Sequence, residues 1–212
     1  MQELRFFNPY AEILQTGDRL PHWQQLGAVY FVTCRLGDSV PSHLLSRWEH
    51  DRELWLRYHP MPWTKEIERE YHERFSRAVE NWLDAGYGSC LLRRRDCAEI
   101  VANALHYFEG IRISMISFVV MPNHVHALFI QNPEWALEKF MQSWKRFSTR
   151  EINKLVKRSG TLWQKNYFDR LVRDEKHFAN CVRYIRRNPK KARLSADQYI
   201  LYESEIARAV CD

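Results

Sequence analysis

The sequence predicts an α+β fold: a mainly antiparallel sheet with helices packed on it. Three observations carry this prediction. The elements run strand, helices, helix, strand, strand, helix, strand, helix, without the strict alternation of a parallel sheet. Two apolar runs, 113–120 and 124–130, are separated only by the turn signal Pro122-Asn123. Apolar residues at helical spacing fill most of the remaining chain. A length of 212 residues provides for one good core with room for an insertion, so 1–212 reads as a single domain.

Residues 1–24 read as irregular, punctuated by Pro21-His22-Trp23. Ala28 to Leu36 is the first strand, ended by Gly37-Asp38-Ser39, and Pro41 suits the first turn of a helix. Leu44, Trp48 and Trp55 keep helical spacing as far as Tyr58, and His59-Pro60-Met61-Pro62-Trp63 breaks that helix. A second helix begins near Thr64, with Ile67, Tyr71, Phe75, Val79 and Trp82 as its stripe. The loop 84–89 closes this unit. Residues 41–90 therefore read as a helical hairpin inserted into a smaller fold, without chemistry of its own.

A third helix spans about Asp96 to Phe108, with Cys97, Val101, Ala104, Leu105 and Phe108 inward and Gly110 as its stop. Ile113 to Val120 is rich in β-branched and aromatic residues and reads as a buried strand. The strand from His124 follows it. Asn132-Pro133 carries a cap and a first-turn proline, so a helix is expected to start there, with Leu137, Phe140, Met141, Trp144 and Phe147 on its apolar side. Thr161–Gln164 and Phe168–Arg173 read as short strands or extended loop. A last helix covers about Asp174 to Arg187, where Asn188-Pro189 disfavours continuation.

Composition narrows the function. The chain is 45% hydrophobic and 14% aromatic, which excludes general disorder. Five scattered cysteines argue against a disulfide framework or a cysteine zinc knuckle and suit a reducing compartment. No apolar run approaches membrane-spanning length, so a soluble, cytoplasmic protein without a membrane partner is expected. Net charge is +6, unevenly placed. Residues 141–194 hold sixteen Lys/Arg against four Asp/Glu, a balance of +12 that leaves −6 for the remainder. Such one-sidedness points to a polyanion, above all nucleic acid.

Side chains two apart on a strand share a face, so His124 and His126 point the same way. Two imidazoles on a rigid strand can hold one metal ion from one side and leave positions for a third ligand, water and substrate. Ordinary half-buried histidines are the alternative for an isolated His-x-His. On the last helix, Phe178, Val182, Ile185 and Pro189 form one apolar stripe. One flank of that stripe carries Arg183, Arg186 and Lys190. The other carries His177, Cys181, Tyr184 and Asn188, with Tyr184 and Asn188 one turn apart. Docked beside the histidine strand, this helix would bring a phenol and a carboxamide to the two imidazoles. That combination suits phosphodiester chemistry, where a divalent ion offsets charge and a tyrosine conserves the energy of the broken bond.

Met121-Pro122-Asn123-His124-Val125-His126 resembles the His-hydrophobe-His motif of single-tyrosine HUH endonucleases. Tyr184-Ile185-Arg186-Arg187-Asn188-Pro189-Lys190-Lys191-Ala192 resembles the tyrosine-helix motif of the REP-associated tyrosine transposases, relatives of the IS200-like transposases. Ser143-Trp144-Lys145, Leu162-Trp163-Gln164, Tyr167-Phe168-Asp169-Arg170 and Arg173-Asp174-Glu175 stand between them in the family's order. The likeness covers about 25–36 and 93–194.

The resemblance implies a ferredoxin-like, RRM-like HUH palm and a metal-dependent single-stranded DNA endonuclease that nicks and rejoins DNA near hairpins. Carried over, His124, His126 and Asn188 are the ligands of Mg²⁺ or Mn²⁺. Tyr184 is the nucleophile that ends linked to a 5′ phosphate. Donor chemistry alone admits Zn²⁺ as well. Lys145, Arg146, Arg170, Arg173, Arg183, Arg186 and Lys190 are the candidate nucleic-acid contacts, and Trp144, Trp163 and Tyr167 the aromatic rings available to stack bases or fill the core. The partner is hairpin-bearing single-stranded DNA, and the protein a monomer or homodimer. Arg193 departs from the family's frequent glycine, which should perturb only the helix exit, and the 41–90 insertion is long. A histidine-triad nucleotide hydrolase needs a third alternating His, where Leu128 and Ile130 stand instead. The remaining rival is a domesticated module that binds hairpin DNA or RNA without cutting.

Overall fold

The computed structural model describes residues 4–12, 14–16, 22–60 and 63–212. Pro21, Met61 and Pro62, read as chain breaks, lie outside the described residues. Short strands β1 (Leu14–Thr16) and β2 (His22–Gln24) pair antiparallel, so the segment expected to be irregular carries a small ladder of its own. The main sheet begins with β3 (Val29–Arg35). Helices α1 (Ser42–Tyr58), α2 (Lys65–Tyr71) and α3 (Arg77–Asp84) follow, the last two joined by a π-helical turn, His72–Ser76. That turn shifts the apolar stripe, so Leu83 is buried and Trp82 only half-buried.

Helix α4 (Arg95–His106) precedes strands β4 (Ile113–Val120) and β5 (His124–Gln131). Helix α5 (Leu137–Leu155), strand β6 (Phe168–Leu171), helix α6 (Glu175–Lys191), strand β7 (Ile200–Glu203) and a short helix α7 (Glu205–Arg208) complete the chain. The sheet order is β6-β3-β5-β4-β7, and every pairing is antiparallel. The fold is α+β, as predicted, with β7 and α7 as additions that no sequence pattern announced.

All eight residues of central β5 are buried, because helices cover both faces of the sheet. Val125, Ala127 and Phe129 face α4 and α5, where Val101, Leu105, Phe140 and Trp144 complete the larger core. Leu128 and Ile130 face α6, against Phe178, Val182 and Ile185. His124 and His126 share the parity of Leu128 and Ile130, so both imidazoles lie on the α6 face. Each large side chain buried this way stabilises the fold by about 1.5–3 kcal/mol.

Three local expectations need correction. The helix expected from Asn132-Pro133 starts at Leu137, because Asn132 Oδ1 accepts from the Glu134 N–H at 3.0 Å and closes a turn first. Phe147 is 44% exposed, and Ser148 takes the inward position instead. Helix α6 runs through Asn188-Pro189 for another turn. Pro189 forfeits one N–H, but it is buried, and Ala192 N–H to Asn188 O (3.0 Å) and Leu194 N–H to Pro189 O (2.9 Å) close the end. Arg193, just beyond, has φ 56°, the left-handed conformation that a glycine there would adopt without strain.

Candidate active site

His124 and His126 lie at the start of β5, opposite Arg35 and Thr33 of β3. They are 1% and 2% exposed, with ring centroids 4.7 Å apart. Asn123, which the sequence marks only as a turn residue, organises the first of them. Its Nδ2 donates to the carbonyls of Leu83 and Tyr87, each at 3.2 Å, so its Oδ1 faces His124 Nδ1 at 2.7 Å. His124 Nδ1 therefore carries the proton and donates, and Nε2 keeps its lone pair. His126 Nδ1 lies 2.8 Å from Thr33 Oγ1, which holds that ring in turn.

Helix α6 docks with its Tyr184 flank over this pair. The Tyr184 ring packs edge-on to His126 with centroids 5.0 Å apart and to Phe31 at 5.7 Å, while Phe31 stacks on His126 at 5.6 Å. One turn on, Asn188 is 1% exposed. Both its carboxamide atoms, and His124 Nε2, are buried with no hydrogen-bond partner. Buried polar groups are normally paired, so three atoms without a well-formed hydrogen bond on neighbouring side chains are a fit for a ligand. Among the described residues no group of three or more His, Cys, Asp or Glu could hold a metal. A metal here would take two imidazoles and the Asn188 oxygen, and the unpartnered atoms fit that donor set.

The electrostatics keep the imidazoles neutral. Burial, followed by the Lys191 charge, pushes His124 down to about 3, against a smaller opposing effect of Asn188. Burial, then His124, Lys191 and Arg170, holds His126 well below its usual range. Tyr184 is shifted the other way. Burial raises its pKa, the Glu80 and Asp84 carboxylates raise it further, and Asn188 and Arg170 lower it. Those carboxylates come from α3, in the hairpin that the sequence reading left without chemistry. Asp84 also binds Lys191 at 2.8 Å. Asn123, Thr33, Glu80, Asp84 and Lys191 are the site residues that sequence reasoning missed. Asn123, beside His124 in the sequence, was the one within reach of inspection.

The candidate nucleic-acid contacts do not converge. Lys145 donates to the carbonyls of Gln164 (2.9 Å) and Lys165 (3.2 Å), and it and exposed Arg146 sit on α5, across the sheet from the histidines. Arg186 is tied to Glu203 (2.9 Å), Asp212 (3.0 Å) and the carbonyls of Ala207 (3.0 Å) and Val210 (2.8 Å). Arg183 donates to Cys211 O at 2.7 Å. Lys190 is exposed at the end of α6. Arg170, opposite Phe31 on edge strand β6, and Arg173 just beyond it stand on the tyrosine's side. Trp144, Trp163 and Tyr167 are all buried, with the two indoles 4.7 Å apart, so they fill the core and cannot stack bases.

Residues 92–188 match the family described as Transposase IS200 like. An uncharacterized protein of Haemophilus influenzae is 25% identical over 104 residues, a match covering 39% of this chain and 57% of the relative, little more than half its length. The structure of a REP-associated tyrosine transposase bound to a REP hairpin superposes with a TM-score of 0.45 at 15% identity, over 80% of this chain and 71% of that one. A Deinococcus radiodurans structure described as a candidate transposase gives a TM-score of 0.31 at 15% identity, over 87% of this chain and 98% of that one.

Proposed function

We propose, for a chain whose residues 92–188 match the IS200-like transposase family, that it nicks and rejoins single-stranded DNA near hairpins through a phosphotyrosine on Tyr184. The observation that carries this reading is the meeting of Tyr184 with His126 at 5.0 Å, beside the unpartnered His124 Nε2 and Asn188 carboxamide. A divalent ion such as Mg²⁺ or Mn²⁺, bound by His124, His126 and Asn188, would supply Lewis acidity to a non-bridging phosphate oxygen.

The chain's own residues account for the rest. Burial keeps both imidazoles unprotonated at neutral pH, so lone pairs are available as ligands. Asn123 and Thr33 hold the rings from behind through their Nδ1 atoms. Tyr184 stays protonated at rest, because burial and two carboxylates raise its pKa. In the reaction its Oη bonds to phosphorus as the P–O3′ bond breaks, and the departing oxygen takes up one proton while the phenol loses one. The product is a 5′-phosphotyrosine and a free 3′ hydroxyl. Attack by that hydroxyl, or another, reverses the step and releases Tyr184.

The test is incubation of the protein with labelled hairpin-bearing single strands and Mn²⁺. A covalent adduct on a denaturing gel is expected, lost in Tyr184→Phe and on chelation with EDTA, with strand binding kept by the variant. An adduct that survives Tyr184→Phe removes the tyrosine from its role. Binding without any adduct supports the non-cutting module instead.

A further inference from the structure

The hairpin 41–90 is slightly acidic, with nine Asp/Glu against seven Lys/Arg. Three of its arginines are engaged within it: Arg47 with Asp51 (3.9 Å), Arg57 with Glu53 (2.7 Å) and Arg52 with the Tyr71 hydroxyl (2.6 Å). Arg69 and Arg77 differ. They line a cleft of about 440 Å³ between the hairpin and the sheet edge, which Arg170 and Arg173 line from the other side. Glu73 and Glu80 share the lining, so the cleft keeps a net charge of +2 from these six groups. Its volume falls in the ~300–1,000 Å³ range of ligand sites, and guanidinium forks suit phosphate oxygens.

The cleft wall is fixed in place. Trp48 packs edge-on to Phe168 of β6 at 6.3 Å. Asn123 holds the end of α3 through the Leu83 carbonyl, Asp84 grips Lys191, and Ser89 N–H donates to Asp38 Oδ2 at 2.8 Å. Gly88 (φ 85°) lets the chain pass against the Asp38 backbone, where a Cβ would collide. Two of its lining residues, Arg170 and Glu80, stand beside the site. Arg170 stands opposite Phe31, whose ring touches Tyr184, and Glu80 is one turn from Asp84.

The geometry points to this cleft as the channel for the single-stranded DNA flanking the scissile phosphate, with Arg69 and Arg77 of the hairpin and Arg170 and Arg173 of the sheet edge gripping its phosphates. The inference rests on the nickase reading and assigns the hairpin a function: it is one wall of the substrate path. The exposed Arg69 and Arg77 contribute charge there without supporting the core.

The test compares two fluorescent probes on the full-length protein in EDTA: a blunt DNA hairpin, and the same hairpin with ten-nucleotide oligothymidylate tails. Wild type is expected to bind the tailed probe more tightly. Arg69→Ala/Arg77→Ala should lose roughly tenfold on the tailed probe alone, with the salt slope of log K reduced by about two. Arg57→Ala, within the hairpin but outside the cleft, should match wild type. Equal affinity of wild type for both probes, no loss in the double variant, or equal loss on both probes overturns the channel. The adduct assay separates the two ideas. Wild-type adduct with unchanged tail affinity in the double variant sinks the channel alone, whereas no wild-type adduct sinks the nickase reading, and the tail comparison still judges the cleft.

Discussion

Asn123→Ala should damage stability and metal binding together, because one buried carboxamide serves both. Asn123 is 1% exposed and makes three hydrogen bonds: to the Leu83 and Tyr87 carbonyls and from His124 Nδ1. Truncation leaves the buried His124 N–H unpaired, at a cost of about 1–3 kcal/mol, whereas the Leu83 oxygen keeps the Gly86 N–H at 3.1 Å and loses only one of its bonds. The Tyr87 carbonyl, on an exposed residue, can turn to water and adds little. A total of about 2 kcal/mol follows, which for a chain of this size lowers Tm by about 4–8 °C. With its orienting partner gone, His124 should lose about 10–100-fold in metal affinity. Urea melts and calorimetric Mn²⁺ titration measure the two quantities. Asn123→Asp separates them: its carboxylate still accepts from His124 but repels the two carbonyls, so Mn²⁺ affinity should return while stability does not. An Asn123→Ala protein within ~0.5 kcal/mol of wild type would refute the reasoning, since surface substitutions without structural role fall in that range. So would an Asp variant that regains stability but not affinity.

Two further outcomes follow from the packing and charge of the same face. Arg186→Ala should act on stability rather than on DNA: its side chain is 20% exposed and Glu203's 16%, so removal strands a half-buried carboxylate. A loss of about 2 kcal/mol is expected, below the ~3–5 of a fully buried pair, with an unchanged salt slope in DNA binding; a reduced slope at wild-type stability would contradict this. The metal-free protein should also lose stability in mild acid. His124 and His126 are neutral in the fold, with His124 down to about 3, while the unfolded chain takes up those protons near pH 6.5. Stability is then level above about pH 6.5 and falls as pH drops from there towards about 3, by about 2 kcal/mol for the pair over the first unit. A level profile from pH 7 to 5.5 in urea melts would mean that the imidazoles are not held neutral.

The sequence by itself determined the local geometry of this protein. Alternation along 124–130 put His124 and His126 on one face with Leu128 and Ile130, and the helical repeat put Asn188 one turn beyond Tyr184. Those relations follow from fixed periods of two and 3.6 residues, which the chain carries wherever it folds. The α+β class was legible for the same reason. Long-range choices were not. Strand β5 is buried on both faces, so nothing in its pattern says which face α6 covers; only the docked stripe of Phe178, Val182 and Ile185 seats Tyr184 above His126. The same docking turns Arg183 and Arg186 towards the C-terminal segment, where they bind its carbonyls and carboxylates. It also brings Lys191 to Asp84, more than a hundred residues earlier in the chain. A charged side chain in sequence has no partner assigned to it. Which charges become structural and which stay available to a phosphate is decided by the surfaces that close around them.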